Sequence, residues 1–204
     1  VGNPAELQLQ DFTIEAWIKR SSTSRASLDP WDSGGIFDYA WGGYAFALHD
    51  NGRLFLSKVG YSAADSSLAI TDTNNFHHVA VTKAGSTVVF YLDGVAETVG
   101  AYDPGFVFGG PAAIGARGGD LVGSFLGTVD EVSIYNRALL AAEVQAIYIA
   151  GSTGKCTTTP PPCAPPPAGL VSWWRAEQDA LDFSDANHGT LYNGASFTAG
   201  KAGS

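Results

Sequence analysis

The segment FTIEAWIKR (12–20) alternates apolar and polar side chains step by step, and several later runs do the same. A two-residue period sends successive side chains to opposite faces of a strand. GYAFALHDNGRLFLSKV (43–59) is two such runs around Asp50-Asn51-Gly52, and Asn-Gly between alternating runs is a strong hairpin signal. HHVAVTK (77–83) and TVVFYLDG (87–94) flank Ala84-Gly85-Ser86 as a second hairpin, and Asp93-Gly94 turns the chain into VAETVG (95–100). AAIGAR (112–117) and SFLGTVDEVSIYN (124–136) complete the set. Short strands at this spacing, with 25 glycines to make the turns, predict an all-β sandwich. Within 12–20, Phe12, Ile14, Ala16 and Ile18 share one face and Trp17 lies on the other, so both faces must pack. One helix is expected: ALLAAEVQAIYIAG (138–151) sets Leu139, Val144, Ile147 and Tyr148 at helical spacing, with Gly151 as its stop.

The rest of the chain is different. Residues 152–168, STGKCTTTPPPCAPPPA, hold most of the prolines and read as a semi-rigid polyproline spacer about 50 Å long at most. The spacer separates a body (1–151) from a tail (169–204). The tail has strand-like pieces at 170–175 and 190–197 but is too short to bury its own apolar residues. Leu170, Trp173, Trp174, Leu181, Leu191 and Phe197 therefore need a partner surface. Cys156 and Cys163, seven apart around TTTPPP, fit a disulfide closing a short loop in an oxidising compartment; two free linker thiols are the alternative. The chain opens at Val1 with neither initiator Met nor signal peptide, and reads as a piece of something larger.

Charge and motifs narrow the function. A net charge of −9 and no Lys/Arg stripe argue against nucleic acid, and no run of apolar residues is long enough for a membrane span. Glu15 and Glu131 both fall in strands, but Glu15 reads as an outward, solvated carboxylate rather than half of a glycosidase pair. No nucleophile elbow is present, and the adjacent His77 and His78 point to opposite faces of their strand. A catalytic role is not expected.

FTIEAWIKR, NNFHHVAVTKAGSTVVFYLDG, AAIGARGG and FLGTVDEVSIYNRALLAAEVQAIYIAG together resemble the laminin-G-like family, a concanavalin A-like jelly-roll group of bacterial secreted proteins. The resemblance implies an all-β jelly-roll sandwich with one short helix after the last body strand, at an extracellular or cell-surface location. GLVSWWRAEQDALDFSDANHGTLYNGASFTAGKAGS resembles the beginning of the same family rather than its end, while the body lacks the family's first strands. A sandwich missing edge strands offers unpaired N–H and C=O groups to another strand. The tail is accordingly expected to dock, on its own body in cis or on a neighbouring copy or adjacent repeat in trans.

Members of this group often hold calcium at the sandwich rim, so Asp130 of VDEV is the candidate ligand and calcium the one cofactor implied; a strand-end carboxylate bonding backbone amides is the plainer alternative. Glycans are the implied small partner, with Trp31, Trp41, Tyr44, Tyr61 and Arg117 as candidate sugar contacts. The main functional expectation is a non-catalytic structural or adhesive repeat that polymerises head to tail through its tail. The alternative is a calcium-dependent, lectin-like carbohydrate-binding module.

Overall fold

The computed structural model describes residues 1–203 except 31 and 157–162. The strands are β1 (Phe12–Arg20), β2 (Ser33–Tyr39), β3 (Tyr44–His49), β4 (Arg53–Lys58), β5 (Ser62–Ala69), β6 (His77–Ala84), β7 (Thr87–Leu92), β8 (Val95–Thr98), β9 (Ala112–Ile114), β10 (Gly127–Tyr135) and β11 (Leu170–Trp174). One helix, α1 (Ala141–Ala150), follows β10. They form two antiparallel sheets, β11-β10-β1-β6-β7-β8 and β5-β4-β3-β2-β9. This is the β-sandwich with a single short helix that the alternation called for.

The core between the sheets comes from the expected inward faces. Phe12, Ile14, Ala16 and Ile18 of β1 meet Tyr44, Phe46 and Leu48 of β3, with Leu54 and Leu56 of β4 beside them. Trp17, on the other face of β1, packs too: its ring stacks on Tyr148 of α1, 6.0 Å between centroids. Val144 and Ile147 of α1 join Leu139, Ala80, Tyr91 and Tyr135 in a second apolar cluster over the outer face of the six-stranded sheet. The helix starts at Ala141, three residues later than expected, because Leu140 is extended (ψ 151).

The tail lies on its own body. β11 pairs with β10, setting Trp174 opposite Val132 and Trp173 opposite Ser133. Strand alternation splits the two tryptophans. Trp174 enters the core and stacks on Phe37 at 5.8 Å, while Trp173 turns to the outer face, where its indole N–H donates to Glu131. At the other sheet's edge, Gly2 bridges Ala112.

In this structure of one copy the pairing is in cis, one of the two arrangements the sequence left open. Cys156 and Cys163 are disulfide-bonded, and Lys155 bridges Ala164 beside them, so the two ends of the spacer sit together instead of being held apart. Residues 190–197 form no strand. Of the six apolar tail residues, Trp173 and Trp174 are buried on the body, Leu170 and Phe197 are half-buried, and Leu181 and Leu191 stay 51% and 48% exposed.

Candidate functional site

Helix α1, the stretch through Lys155 and the end of the tail cover much of the six-stranded sheet's outer face. The outer face of the five-stranded sheet instead carries a depression of about 160 Å³. Its floor is made of the outward residues of β2, β3 and β4, which are small: Ser33, Gly35, Ala45, Ala47 and Ser57. The same hairpin that sends Tyr44, Phe46 and Leu48 inward leaves Ala45, Ala47 and Ser57 on this side, and that difference makes the hollow.

Trp41, in the turn between β2 and β3, does not line the depression itself but lies against two residues that do, Arg117 and Gly60. Its ring is 61% exposed, and the Arg117 guanidinium lies 5.5 Å from its centroid. Arg117 is oriented by a two-point contact to Asp120, Nε–Oδ1 3.0 Å and Nη2–Oδ2 2.6 Å. Behind Arg117 sits Asp38, buried, with its Oδ1 lacking a hydrogen-bond partner among the described residues. Burial pushes the Asp38 carboxyl well above the ordinary carboxylate range, against the pull of Arg117. A neutral carboxyl can both donate and accept. Gly60 lets the indole lie down over the β4–β5 turn: a Cβ there would fall 1.9 Å from a ring carbon, and its φ of +83° favours glycine.

The opposite end holds a polar-aromatic pair. His49 stacks on Phe55 at 4.2 Å, and its Nε2 is 2.7 Å from Asp65 Oδ1. From Ala45 to His49 the strand runs about 14 Å at the usual rise. An exposed aromatic ring, a bed of small side chains and paired polar groups at both ends can stack against a flat apolar face and bond hydroxyls.

The sequence-expected residues divide. Trp41 and Arg117 come together beside the depression. Tyr61 is 73% exposed but faces Lys58, 4.9 Å away, and does not line the depression. Tyr44 is a core residue, not a sugar contact: it is fully buried and its hydroxyl donates to the Leu7 carbonyl. Trp31 lies outside the described residues. Asp38, His49, Phe55 and Asp65 escaped the sequence reading, although His49 and Phe55 alternate with Leu48, Leu54 and Leu56 and so declare an outward face.

At Asp130 the structure shows the plainer of the two expected arrangements, a strand-end carboxylate bonding backbone amides. Calcium takes six to eight oxygens. Asp130 is buried and its Oδ2 accepts the backbone N–H groups of Lys201 (2.6 Å) and Ala202 (3.1 Å) from the tail. Among the described residues no three His, Cys, Asp or Glu side chains are grouped to hold a metal. Glu15, expected in solvent, is fully buried on the covered face of the six-stranded sheet.

Residues 1–145 match a family model described as the concanavalin A-like lectin/glucanases superfamily. The chain belongs to this superfamily. Several solved structures share the superfamily's sandwich with it at low identity. A Bacteroides ovatus protein whose carbohydrate binding is itself inferred matches with TM-score 0.57 and 20% identity, over 91% of this chain and 49% of its own. The chain thus spans about half the length of that protein. Domain 4 of an extracellular arabinanase from Geobacillus stearothermophilus, in complex with arabinotriose, matches with TM-score 0.51 and 21% identity over 70% and 68% of the two chains. The CBM40 module of a Ruminococcus gnavus IT-sialidase, bound to α2,3-sialyllactose, gives 0.52 and 15% over 72% and 92%. No curated protein sequence matches the chain. These likenesses establish the fold. Among the described residues no helix is long and apolar enough to cross a membrane.

Proposed function

We propose that this chain is a non-catalytic carbohydrate-binding module and that its sugar site is the small-floored face of the five-stranded sheet. The observation that carries the reading is Trp41, exposed and backed by Arg117 beside a hollow whose floor is made of small side chains, Ser33, Gly35, Ala45, Ala47 and Ser57. A pyranose presents an apolar face of C–H groups to an aromatic ring and a rim of hydroxyls to polar neighbours. Trp41 supplies the first contact; Asp38 and the Arg117–Asp120 pair supply the second, with His49–Asp65 at the far end. Three similar structures whose descriptions concern carbohydrate binding or a bound sugar support this choice over a polymerising repeat. The tail's attachment to its own sheet also favours it, because the strand that would join copies is already used. The binding invoked here runs through hydroxyl-directed groups, not a metal. An extracellular setting is part of the proposal, supported by the Cys156–Cys163 disulfide.

The test is a glycan array followed by titration calorimetry on the best ligand, with and without a chelator. Specific binding that survives chelation and falls at least tenfold in Trp41→Ala, but not in Tyr61→Ala, is the expected result. Binding that is lost on chelation, or is indifferent to Trp41, would refute the assignment.

A further inference from the structure

Beneath helix α1, away from the proposed sugar face, one amine and two carboxyl groups are sealed together. Lys155 Nζ lies 2.9 Å from Glu15 Oε1 and 3.1 Å from Glu131 Oε2, with all three side chains essentially inaccessible to water. The surroundings are ordered for more than charge pairing. The Trp173 indole N–H donates to Glu131 Oε2 at 2.9 Å, and its ring lies 5.0 Å from Nζ. His78 Nε2 is 3.1 Å from Glu15 Oε2. Glu131 is presented by a local irregularity of β10: the register against β1 slips between Glu15 and Trp17, and Glu131 has φ 57, uncommon outside glycine. The bulge puts Glu131 on the same face as Glu15.

Two carboxyl groups, one amine and the His78 imidazole share a dry site, where any unbalanced charge is costly. The environments separate the two acids. Burial raises Glu131 above the ordinary carboxylate range despite Lys155. Burial also acts upward on Glu15, but Lys155 and His78 outweigh it and hold Glu15 below its usual value. Burial lowers Lys155, but the same two carboxyl groups outweigh it and raise Lys155, so giving up its proton is the costly step. The geometry assigns the roles: Glu131 is the carboxyl that meets the Trp173 N–H, and Glu15 the one that meets both Lys155 and His78. A neutral carboxylic acid, unlike a carboxylate, is open to attack by an amine.

We propose that Lys155 and Glu131 are the two ends of an autocatalytic intramolecular amide cross-link, with Glu15 as the proton carrier. Lys155 ammonium gives a proton to Glu15, and the neutral amine attacks Glu131 Cδ, forming the C–N bond. The Trp173 N–H donates to the oxygen that gains charge. Glu15 relays the amine's second proton to the departing hydroxyl, and the Cδ–O bond breaks to release water. The products are one secondary amide, one water and a neutral Glu15, so atoms and charge balance without a co-reactant. Enforced proximity and exclusion of water are what such a step needs. The cross-link would fasten the segment after α1 to β10, beside the disulfide that closes the following loop.

The test is the intact mass of the folded, full chain after disulfide reduction and prolonged incubation, followed by tryptic mapping. The expected result is a mass lower than the sequence mass by one water, no cleavage after Lys155, and a branched peptide joining Glu131 to Lys155. Glu15→Gln should return the full sequence mass in a folded protein. Wild-type protein at full mass, cleaved after Lys155, would overturn the proposal, as would a lost water mapped to any other pair. The wild-type measurement decides the matter even if the variant fails to fold.

Discussion

Replacing Trp174 with alanine separates a tail that completes the domain from one that merely rests on it. Trp174 is buried between the sheets, stacks on Phe37 at 5.8 Å and donates its indole N–H to the Asn187 carbonyl at 2.9 Å. Truncating a buried tryptophan costs about 3–5 kcal/mol through lost transfer free energy and the cavity left behind. The cavity would lie at the point where β11 meets β10, so the loss should act on the whole cooperative unit. Leu191→Ala, in the same tail but 48% exposed, should change stability by less than about 0.5 kcal/mol. Urea unfolding followed by fluorescence and by far-ultraviolet circular dichroism would show a midpoint lowered by roughly 1–2.5 M for Trp174→Ala, at slopes of about 2–3 kcal/mol/M. Size-exclusion chromatography of the same samples would report whether a loosened tail joins copies. The reasoning fails if Trp174→Ala unfolds within about 1 kcal/mol of wild type, or if Leu191→Ala is the more damaging change.

Gly60→Ala should weaken sugar binding several-fold, because a Cβ at φ +83° collides with the Trp41 ring; calorimetry against the wild-type ligand checks it. His77 sits between Asp93 (2.7 Å) and Asp72 (2.9 Å), and mainly the Asp93 hydrogen bond, then Asp72, raises its pKa against the opposing effect of burial. Its contribution to stability is thus complete below the unfolded value of about 6.5 and lost as pH rises through the folded value. Melting temperatures across pH 5 to 8 should fall less in His77→Gln than in wild type over that window, and an equal fall in both would contradict the ion-pair account. Reducing the Cys156–Cys163 disulfide, which closes a loop with sequence separation 7, should cost about 2.5 kcal/mol on a chain-entropy basis. Calorimetric melting with and without reductant measures that cost; no shift would mean that the pairing leaves the unfolded chain unconstrained.

The sandwich was legible because its hairpins carry both alternation and turn chemistry: 43–59 and 77–94 fall where the sequence put them. β2 and β5 were not, and the reason is local. SGGIFDY carries two glycines near its start and SAADSSLA has no β-branched residue, so neither advertises a strand; pairing with β3 and β4 decides both. Trp41 and Arg117 could be named as loop residues, but not that they meet. Tyr44 was misplaced although its spacing with Phe46 and Leu48 marks it as inward. Glu15 looked solvated because its cover comes from Lys155, 140 residues away, and sequence spacing carries no trace of such a contact. The tail's two anchors were recognised with four others, since apolar character alone does not say which residues a single strand will bury.

Whether sugar occupies the five-stranded sheet is best tested by nuclear magnetic resonance titration of the isotope-labelled chain with the tightest ligand found on the array. The account requires saturable shifts at the Trp41 indole N–H, the Gly35, Ala45 and Ala47 amides and the Arg117 side chain, with residues of α1 and β11 unmoved. Shifts confined to the α1 side or to the tail, with Trp41 silent, would contradict it.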